Sequence, residues 1–167
     1  MQLLVIRHAI AEDKEAFAAT GRDDGERPLT ADGVRKMRRG AKGLRQLVPA
    51  INTLASSPLT RAQETAEIVR KEYELERIVD APELEPGVAI GDVVAALSRF
   101  DGDVVAIVGH EPQLGRLVTY LVSGTDRSGV ELKKGAACLV EFDGQARSTC
   151  GMLRWSVSPS TLRDLAG

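Results

Sequence analysis

Cysteine and aromatic residues are scarce in this sequence, and each shortage argues against a class of protein. The two cysteines, Cys138 and Cys150, cannot build the framework of several disulfides that holds a small secreted domain together, and they form no CxxC motif. We therefore expect two free thiols in a reducing compartment. The single tryptophan, Trp155, and Tyr73 fit core positions, and no feature marks them as platforms for stacking nucleic-acid bases.

An excess of one charge and a long apolar run are also missing. Twenty-two lysines and arginines stand against 24 acidic residues, and the net charge of −2 is too nearly neutral for a surface devoted to nucleic acid. No stretch free of polar, Gly and Pro residues exceeds five positions, whereas a membrane-spanning helix needs about 20 apolar residues. The first residues have neither the basic segment nor the cleavage site of an export signal. We expect a cytoplasmic protein with no membrane and no nucleic-acid partner.

The apolar pattern predicts an α/β fold in a single domain spanning residues 1–167. Leu3–Ile6 and Val104–Val108 are continuous apolar runs, which are typical of strands covered on both faces. The other expected elements are a short strand at 53–56, helices over 34–48, 59–73, 92–100 and 114–122, and a hairpin-like strand pair at 136–142 and 152–157. This alternation indicates a three-layer α/β/α sandwich with a mostly parallel, mixed sheet.

Capping residues place the starts of two of these helices. Thr30 is a suitable N-cap for the helix over 34–48. Ser57 followed by Pro58 predicts an N-cap and a proline at the first helical position of the helix over 59–73. The N–H groups of such a first turn point outward and favour an anionic ligand.

Histidine and arginine residues follow the carboxyl ends of three predicted strands. The first strand ends in Arg7-His8, Arg61 lies one helical turn beyond the second, and the run 104–108 is followed by His110. Ligands of open α/β sheets bind beyond the carboxyl ends of the strands. Arginine forks bind phosphate oxygens, and a histidine can act as an uncharged nucleophile or as a donor. The four side chains therefore predict a phosphate site.

Two plainer interpretations of these residues stay open. His8 and His110 also suit the role of structural, hydrogen-bonded histidines near strand ends, and Arg61 suits a solvated surface position. A metal site fits less well, because two imidazoles beside Arg7 with no clear carboxylate as third ligand make a poor zinc constellation. We expect no metal.

The segments Val5–Ala9, Ser56–Ala66 and Val108–Pro112 resemble the three signatures of the histidine phosphatase superfamily, the phosphoglycerate mutase-like proteins. Further residues recur in the order seen in the small SixA-type phosphohistidine phosphatases of that superfamily. These are Arg27-Pro28-Leu29-Thr30 with Gly33, Pro82-Glu83-Leu84, and Trp155 with Ser158-Pro159. The resemblance spans essentially the whole chain.

The resemblance implies a phosphoglycerate mutase-like fold and a phosphatase that needs no metal and no cofactor. His8 would be the nucleophile that takes the phosphoryl group and becomes phosphohistidine. Arg7, Arg61 and His110 would bind the phosphate oxygens and stabilise their charge in the transition state. Water would then regenerate His8.

The sequence departs from the family pattern at two places. Ala9 stands where a glycine commonly follows the histidine. The general acid of the family is expected two residues after Leu84, where this chain has Pro86, so Glu83 and Glu85 are weak candidates for that role. Phosphohistidine can leave as neutral imidazole when its other ring nitrogen is protonated, so the missing acid favours P–N substrates.

We therefore expect dephosphorylation of phosphohistidine on a signalling protein, such as a histidine-containing phosphotransfer domain. A small chain with little beyond its core would leave the rim open to such a protein. One alternative is a phosphatase of small phosphate esters, with Glu83 or Glu85 as the acid. Another is a catalytically silent module that binds phosphate or a phosphoprotein, although the intact His8 argues against it.

Two surface segments carry further hypotheses. The polar segment 12–27 contains Gly21 and Gly25, which predicts a flexible flap beside His8 that gates the site or selects the partner. Basic residues line one face of the helix over 34–48, namely Arg35, Lys36, Arg38, Arg39, Lys42 and Arg45. A solvated face is the default interpretation, and a docking surface for an acidic partner domain is the sharper one.

Overall fold

A six-stranded sheet organises the protein, whose computed structural model describes residues 1–127 and 129–167. The strands are Gln2–Arg7 (β1), Thr53–Ser56 (β2), Val79–Asp80 (β3), Val104–Gly109 (β4), Ala137–Phe142 (β5) and Gly151–Val157 (β6). Their order across the sheet is β3-β2-β4-β1-β5-β6. Strands β1 to β4 run parallel, while β5 and β6 are antiparallel to their neighbours. The predicted mostly parallel, mixed sheet is confirmed.

Helices cover both faces of this sheet. They are Lys14–Ala18 (α1), Ala31–Leu47 (α2), Thr60–Tyr73 (α3), Ile90–Leu97 (α4), Gln113–Ser123 (α5) and Pro159–Leu165 (α6). Leu3 and Val5 of β1 pack into one buried cluster with α4 and α5, whereas Leu4 and Ile6 pack into a second cluster with α2, α3 and α6. Alternate side chains of a strand face opposite sides, so burial on both sides explains the unbroken apolar run. Among the helices of the described residues, none has the length and apolar character needed to cross a bilayer.

The start of α3 differs from the prediction. We expected Ser57 to cap a helix beginning one residue later, but α3 begins at Thr60 and no side chain caps it. Ser57 is fully buried, and its hydroxyl lies 2.9 Å from Nε2 of His110. The same hydroxyl accepts a hydrogen bond from the Leu59 N–H at 3.4 Å, so it contacts both the histidine and the residue just before α3. By contrast, Thr30 caps α2 as predicted, because its hydroxyl accepts a hydrogen bond from an N–H of the first turn.

The segment 12–27, for which its composition predicted a flexible flap, contains two short helical elements. These are α1 and a 3₁₀ turn at Asp24–Glu26. Phe17 of α1 is buried. The Arg27 guanidinium binds Asp24 Oδ1 at 2.8 Å and the carbonyl oxygen of Glu12 at 2.9 Å. Phe17 and Arg27 make these contacts, and the polar average composition of the segment does not reveal the role of two individual residues.

The carboxyl ends of three neighbouring strands meet at one edge of the sheet. Strand β4 pairs in parallel with β1 on one side and with β2 on the other. The residues that follow these three strands, His8, Ser57 and His110, therefore lie beyond the same edge. The fold thus brings together segments that are far apart along the chain.

The close approach of α2 to α6 depends on a glycine, which allows a test of this packing. A Cβ atom on Gly43 would lie 1.7 Å from the carbonyl oxygen of Leu162, and a backbone atom cannot rotate away. We expect Gly43→Ala to lower the free energy of unfolding by about 2 kcal/mol, a typical penalty for overpacking. Urea denaturation of the variant and the wild type measures this difference.

Gly91→Ala is the matched control for this substitution. Gly91 lies in the first turn of α4, and an added Cβ would have no heavy atom from elsewhere within 4 Å. Alanine is the better helix former, so stability should be unchanged or higher by up to about 1 kcal/mol. Equal destabilisation by the two substitutions would contradict the role given to the contact between α2 and α6.

Candidate active site

A cleft of about 580 Å³ opens at the carboxyl edge of the sheet, and all four residues of the predicted phosphate site line it. These residues are Arg7, His8, Arg61 and His110. The other lining residues are mostly charged, and they are Ala11, Glu12, Asp13, Lys14, Asp24, Arg27, Pro86, Glu111 and Lys134. Two imidazoles and two guanidinium groups, from the end of β1, the start of α3 and the loop after β4, therefore share one cavity.

The backbone defines the tautomer of His8, which is 5% exposed. Its Nδ1 lies 2.7 Å from the carbonyl oxygen of Ala9. A carbonyl oxygen only accepts, so the proton must be on Nδ1 and the lone pair on Nε2. Burial lowers the pKa of His8 to about 4; the Ala9 hydrogen bond opposes this shift, and the charges of Arg61 and Arg7 reinforce it. At neutral pH the ring is therefore uncharged, and the lone pair of Nε2 is free.

His110 lies beside His8, with the two ring centroids 5.1 Å apart. Burial lowers the pKa of His110 to about 3, and the charges of His8, Arg61 and Arg7 act in the same direction. Within the described residues, Nδ1 of His110 and Nε of both arginines are buried without a hydrogen-bond partner. Such atoms are destabilising unless they find a partner. These three nitrogens are therefore candidates for bonds to an oxyanion.

A carboxylate braces Arg7 through the backbone of Leu132. Nη1 of Arg7 donates to the Leu132 carbonyl at 2.6 Å. The Leu132 N–H donates to Glu111 Oε1 at 2.8 Å, and the Gly115 N–H donates to Glu111 Oε2 at 3.2 Å. Because Glu111 directly follows His110, one loop supplies an imidazole and also the anchor of a guanidinium group.

Asp24 orients the second arginine of the cleft. Nη1 of Arg61 donates to the Asp24 carbonyl at 3.0 Å, and Nη2 lies 3.3 Å from Asp24 Oδ2. The hydrogen bond from Arg27 to the other carboxylate oxygen is the main reason that the pKa of Asp24 lies below its ordinary value. Asp24 is thus ionised at neutral pH and has no proton to donate.

Residues 63–65 of α3 tie three loops to the helix that carries Arg61. The glutamine side chain donates to the Ser57 carbonyl at 2.9 Å, the glutamate accepts from the Leu29 N–H at 2.7 Å, and the threonine hydroxyl accepts from the Ala9 N–H at 3.0 Å. Each side chain of this motif therefore has a backbone partner in a different loop. These three residues therefore hold the loops around His8 in place, and their helix carries Arg61.

The two carboxylates considered as general acids do not line the cleft. Glu83 lies in a separate surface groove, where its Oε1 is 2.8 Å from Arg99 Nη1. The hydrogen bond from Arg99 lowers the pKa of Glu83, which keeps it ionised. Glu85 offers its backbone carbonyl to Gln113 at 3.0 Å. The next residue, Pro86, lines the cleft instead.

Sequence reasoning assigned no site role to Ser57, Asp24, Glu111 or Lys134, which the structure places at the cleft or against His110. Ser57 and Glu111 stand inside two of the motifs, so their neighbours were a usable signal. Asp24 comes three residues before Arg27, a spacing that allows an ion pair across one turn. Lys134 has no such signal, because it reaches the cleft from the loop before β5.

Comparison with known proteins identifies the family. The sequence profile of the Histidine phosphatase superfamily (branch 1) matches residues 3–85. Phosphohistidine phosphatase SixA of Escherichia coli K12 is 29% identical over 167 residues, which cover 98% of this chain and 97% of SixA. An uncharacterised protein of Picosynechococcus sp. is 33% identical over 141 residues, covering 80% of this chain and 81% of that protein.

A solved structure of the protein histidine phosphatase SixA complexed with tungstate has the same fold. The TM-score is 0.80 at 28% identity, over 97% of this chain and 99% of that chain. The chain therefore belongs to the histidine phosphatase superfamily. Within that superfamily it is a SixA-like phosphatase, and the resemblance seen in the motifs is confirmed.

The protonation state of His8 can be measured directly, because the chain has only two histidines. In ¹⁵N–¹H spectra of histidine-labelled protein at neutral pH, we expect two uncharged rings, with the His8 proton on Nδ1. On acidification, His8 should take up its second proton near pH 4, well below the ordinary value of about 6.5. His110→Gln assigns the two sets of signals. A His8 ring that is half charged at about pH 6.5 would contradict this arrangement.

Glu83→Gln tests whether this carboxylate belongs to a surface ion pair or to the reaction. We expect phosphatase turnover to stay within about twofold of wild type, since general acids contribute about 10²-fold or more. The free energy of unfolding should fall by at most about 1 kcal/mol, because the pair with Arg99 is partly exposed. Glu85→Gln is the matched control, and a hundredfold loss of kcat in either variant would assign that residue to proton donation.

Proposed function

We propose that this enzyme removes the phosphoryl group from phosphohistidine on a signalling protein, with His8 as the nucleophile. The observation that carries the proposal is the state of His8, a neutral ring whose Nδ1 proton is bound by the Ala9 carbonyl. Arg7 and Arg61 line the same cleft. The similarity to SixA, a phosphohistidine phosphatase by name, supports this choice of substrate.

In the first step, the Nε2 lone pair of His8 attacks phosphorus, and the bond from phosphorus to the ring nitrogen of the substrate breaks. The electron pair of that bond stays on the substrate imidazole, which leaves uncharged when its other nitrogen already carries a proton. The His8 ring becomes cationic, and the Ala9 carbonyl, 2.7 Å from Nδ1, stabilises that charge. One P–N bond replaces another, so the step is expected to be nearly thermoneutral.

Arg7, Arg61 and His110 would bind the oxygens of the phosphoryl group during transfer. Catalysis of phosphoryl transfer consists mostly of positioning and of neutralising charge on these oxygens. The three buried nitrogens without partners supply donors for this purpose. Tungstate is a tetrahedral oxyanion like phosphate, and its presence in the SixA complex supports an oxyanion site in this family.

Water would complete the reaction by attacking the phosphorus of phospho-His8. The bond to Nε2 breaks, the ring returns to its neutral form with the Nδ1 proton retained, and both protons of the water leave with the product as dihydrogen phosphate. We propose that neither step uses a metal or a cofactor, because the two guanidinium groups supply the positive charge. Nowhere in residues 1–127 and 129–167 do three His, Cys, Asp or Glu side chains form a group suited to a metal ion.

Three of the four carboxylates that line the cleft are engaged in hydrogen bonds, which favours a leaving group that needs no proton. Asp24 is bound by Arg27 and Arg61. Both oxygens of Glu111 accept backbone hydrogen bonds, and Asp13 accepts one from the first turn of α1. An alkoxide leaving group would require a proton from such a residue. An imidazole leaving group that is already protonated on its second nitrogen does not.

A small phosphate ester is the second candidate substrate, and Glu12 is the observation that favours it. Glu12 lines the cleft, its backbone carbonyl binds Arg27, and its carboxyl group makes no hydrogen bond within the described part of the chain. It is therefore a candidate proton donor that the sequence did not indicate. The cleft volume of about 580 Å³ also suits a small ligand.

The partner we propose is a histidine-containing phosphotransfer domain in the cytoplasm. Both cysteines are free thiols, as expected for a reducing compartment. A protein-borne phosphohistidine presents its imidazole from a surface, so it can reach a cleft at the edge of the sheet without being enclosed.

A parallel assay separates these functions. Wild-type enzyme is incubated with a phosphorylated phosphotransfer domain, free phosphohistidine, phosphoserine and a sugar phosphate, each with and without EDTA. We expect kcat/KM on the phosphohistidine substrates to exceed that on the esters by about 100-fold or more. The reason is that an alkoxide leaving group needs a general acid, which the proposed mechanism does not include. EDTA should have no effect, and a trapped enzyme intermediate should be labile in acid and stable in base.

Two variants serve as controls in this assay. His8→Ala should abolish turnover of every substrate while the protein stays folded, and Glu12→Gln should leave turnover of phosphohistidine unchanged. Faster turnover of esters that Glu12→Gln removes would establish the second candidate instead. Wild-type protein that binds phosphate but turns over no compound would show a silent binding module.

A further inference from the structure

A row of basic side chains connects the cleft to the outside of α2. Lys134 lines the cleft and also lines a second cavity of about 170 Å³ beside Ala9. Lys36 of α2 and Arg163 of α6 line the same second cavity. Lys134 also contributes to the positive charge that lowers the pKa of His8. Positive charge therefore extends sideways from the nucleophile onto the helical layer.

The row continues along α2 away from the cleft. Nε of Arg39 donates to the backbone carbonyl of Arg163 at 2.9 Å. Arg39 also lines a groove with Arg38, the residue before it, and with Lys42, about one turn farther along the helix. The basic track, as we call this surface, consists of Lys134, Lys36, Arg163, Arg39, Arg38 and Lys42.

The basic track concentrates positive charge on a protein that is acidic as a whole. The chain carries a net charge of −2, yet within residues 31–48 Asp32 is the single acidic residue. Asp32 pairs with Arg35 and Lys36. Arg38 and Lys42 are exposed, and neither joins an ion pair within residues 1–127 and 129–167.

Two carboxylates beside the far end of the track are already engaged. Glu67 and Glu72 line an adjoining groove between α2 and α3. Both carboxylate oxygens of Glu67 accept hydrogen bonds from Arg70, and the carboxylate of Glu72 lies 4.0 Å from Nη1 of Arg45. The charge of the track is thus not cancelled by these neighbours and remains available to a partner.

We propose that the basic track docks an acidic surface of the phosphoprotein substrate beside its phosphohistidine. The inference rests on the proposed function, and it identifies the surface that favours a protein substrate over free phosphohistidine. An acidic partner is repelled by the remaining, net negative surface and attracted at the track. Charge complementarity of this kind speeds association and fixes the orientation of approach.

The dimensions of the track fit one partner domain. Gly33 lines the second cavity, and nine residue steps along α2 separate it from Lys42, which is about 14 Å at the helical rise. A standard interface covers about 800 Å² on each partner, a patch roughly 30 Å across. A single domain that presents its phosphohistidine to the cleft therefore also covers the track.

The test compares protein and small-molecule substrates of the same chemistry. The double variant Arg38→Glu/Lys42→Glu is assayed on an acidic phosphotransfer domain phosphorylated on its histidine, and on free phosphohistidine. We expect kcat/KM for the domain to fall about tenfold at about 0.05 M salt, and the loss to shrink near 1 M salt as the Debye length approaches 3 Å. Turnover of free phosphohistidine should stay at the wild-type value.

Arg77→Glu/Arg147→Glu is the matched control with the same change of charge. Arg77 precedes β3 and Arg147 lies in the turn between β5 and β6, so both are exposed at the edge of the sheet opposite the cleft. This control should keep most of its activity on the domain. Arg38→Lys/Lys42→Arg keeps the charge of the track and should retain wild-type activity. Thermal unfolding verifies that each variant is folded.

The possible outcomes distinguish this inference from the proposed function. Equal kcat/KM on the domain for wild type and for Arg38→Glu/Lys42→Glu would overturn docking at the track and leave the phosphatase function intact. An equal loss in the Arg77→Glu/Arg147→Glu control would also overturn it, since net charge alone would then act. Wild-type turnover of phosphate esters without turnover of either phosphohistidine substrate would overturn both proposals.

Discussion

The hydrogen bond from His8 Nδ1 to the Ala9 carbonyl, 2.7 Å long, determines what the cleft is able to do. The nucleophile that we propose needs a lone pair on Nε2. A ring turned the other way would present an N–H group there, and a charged ring would have no lone pair. Burial among guanidinium groups prevents the second state, and the carbonyl prevents the first. The carbonyl itself is held in place because the N–H of Ala9 is bound by Thr65.

Two carboxylates hold the arginines of the cleft in place. Glu111 reaches Arg7 through the backbone of Leu132, and Asp24 contacts Arg61 directly. A guanidinium group held in this way loses little further freedom when an anion arrives, so its position is set before the reaction begins. The same bonds keep these two carboxylates from acting as proton donors, which is consistent with the imidazole leaving group that we propose.

The parts of the structure that follow from local patterns were predictable from the sequence, and those that depend on contacts between distant segments were not. Unbroken apolar runs predicted the central strands, and strand ends placed Arg7, His8 and His110 at one edge. Helix α1 and strand β3 are too short to show periodicity. The hydroxyl of Ser57 suited a helix cap equally well, and its alternative partner is 53 residues away. Glu83 was considered as an acid because its partner Arg99 could not be seen from its own neighbourhood.

The cleft lies beyond the carboxyl ends of the parallel strands, and none of its lining residues lies at the opposite edge of the sheet. The turn between β5 and β6, residues 143–150, lies at that opposite edge, with most of its side chains exposed. Insertions and substitutions in this turn should therefore leave the residues of the cleft undisturbed. For the same reason, it offers a natural attachment point for a fluorescent label or a fused reporter peptide.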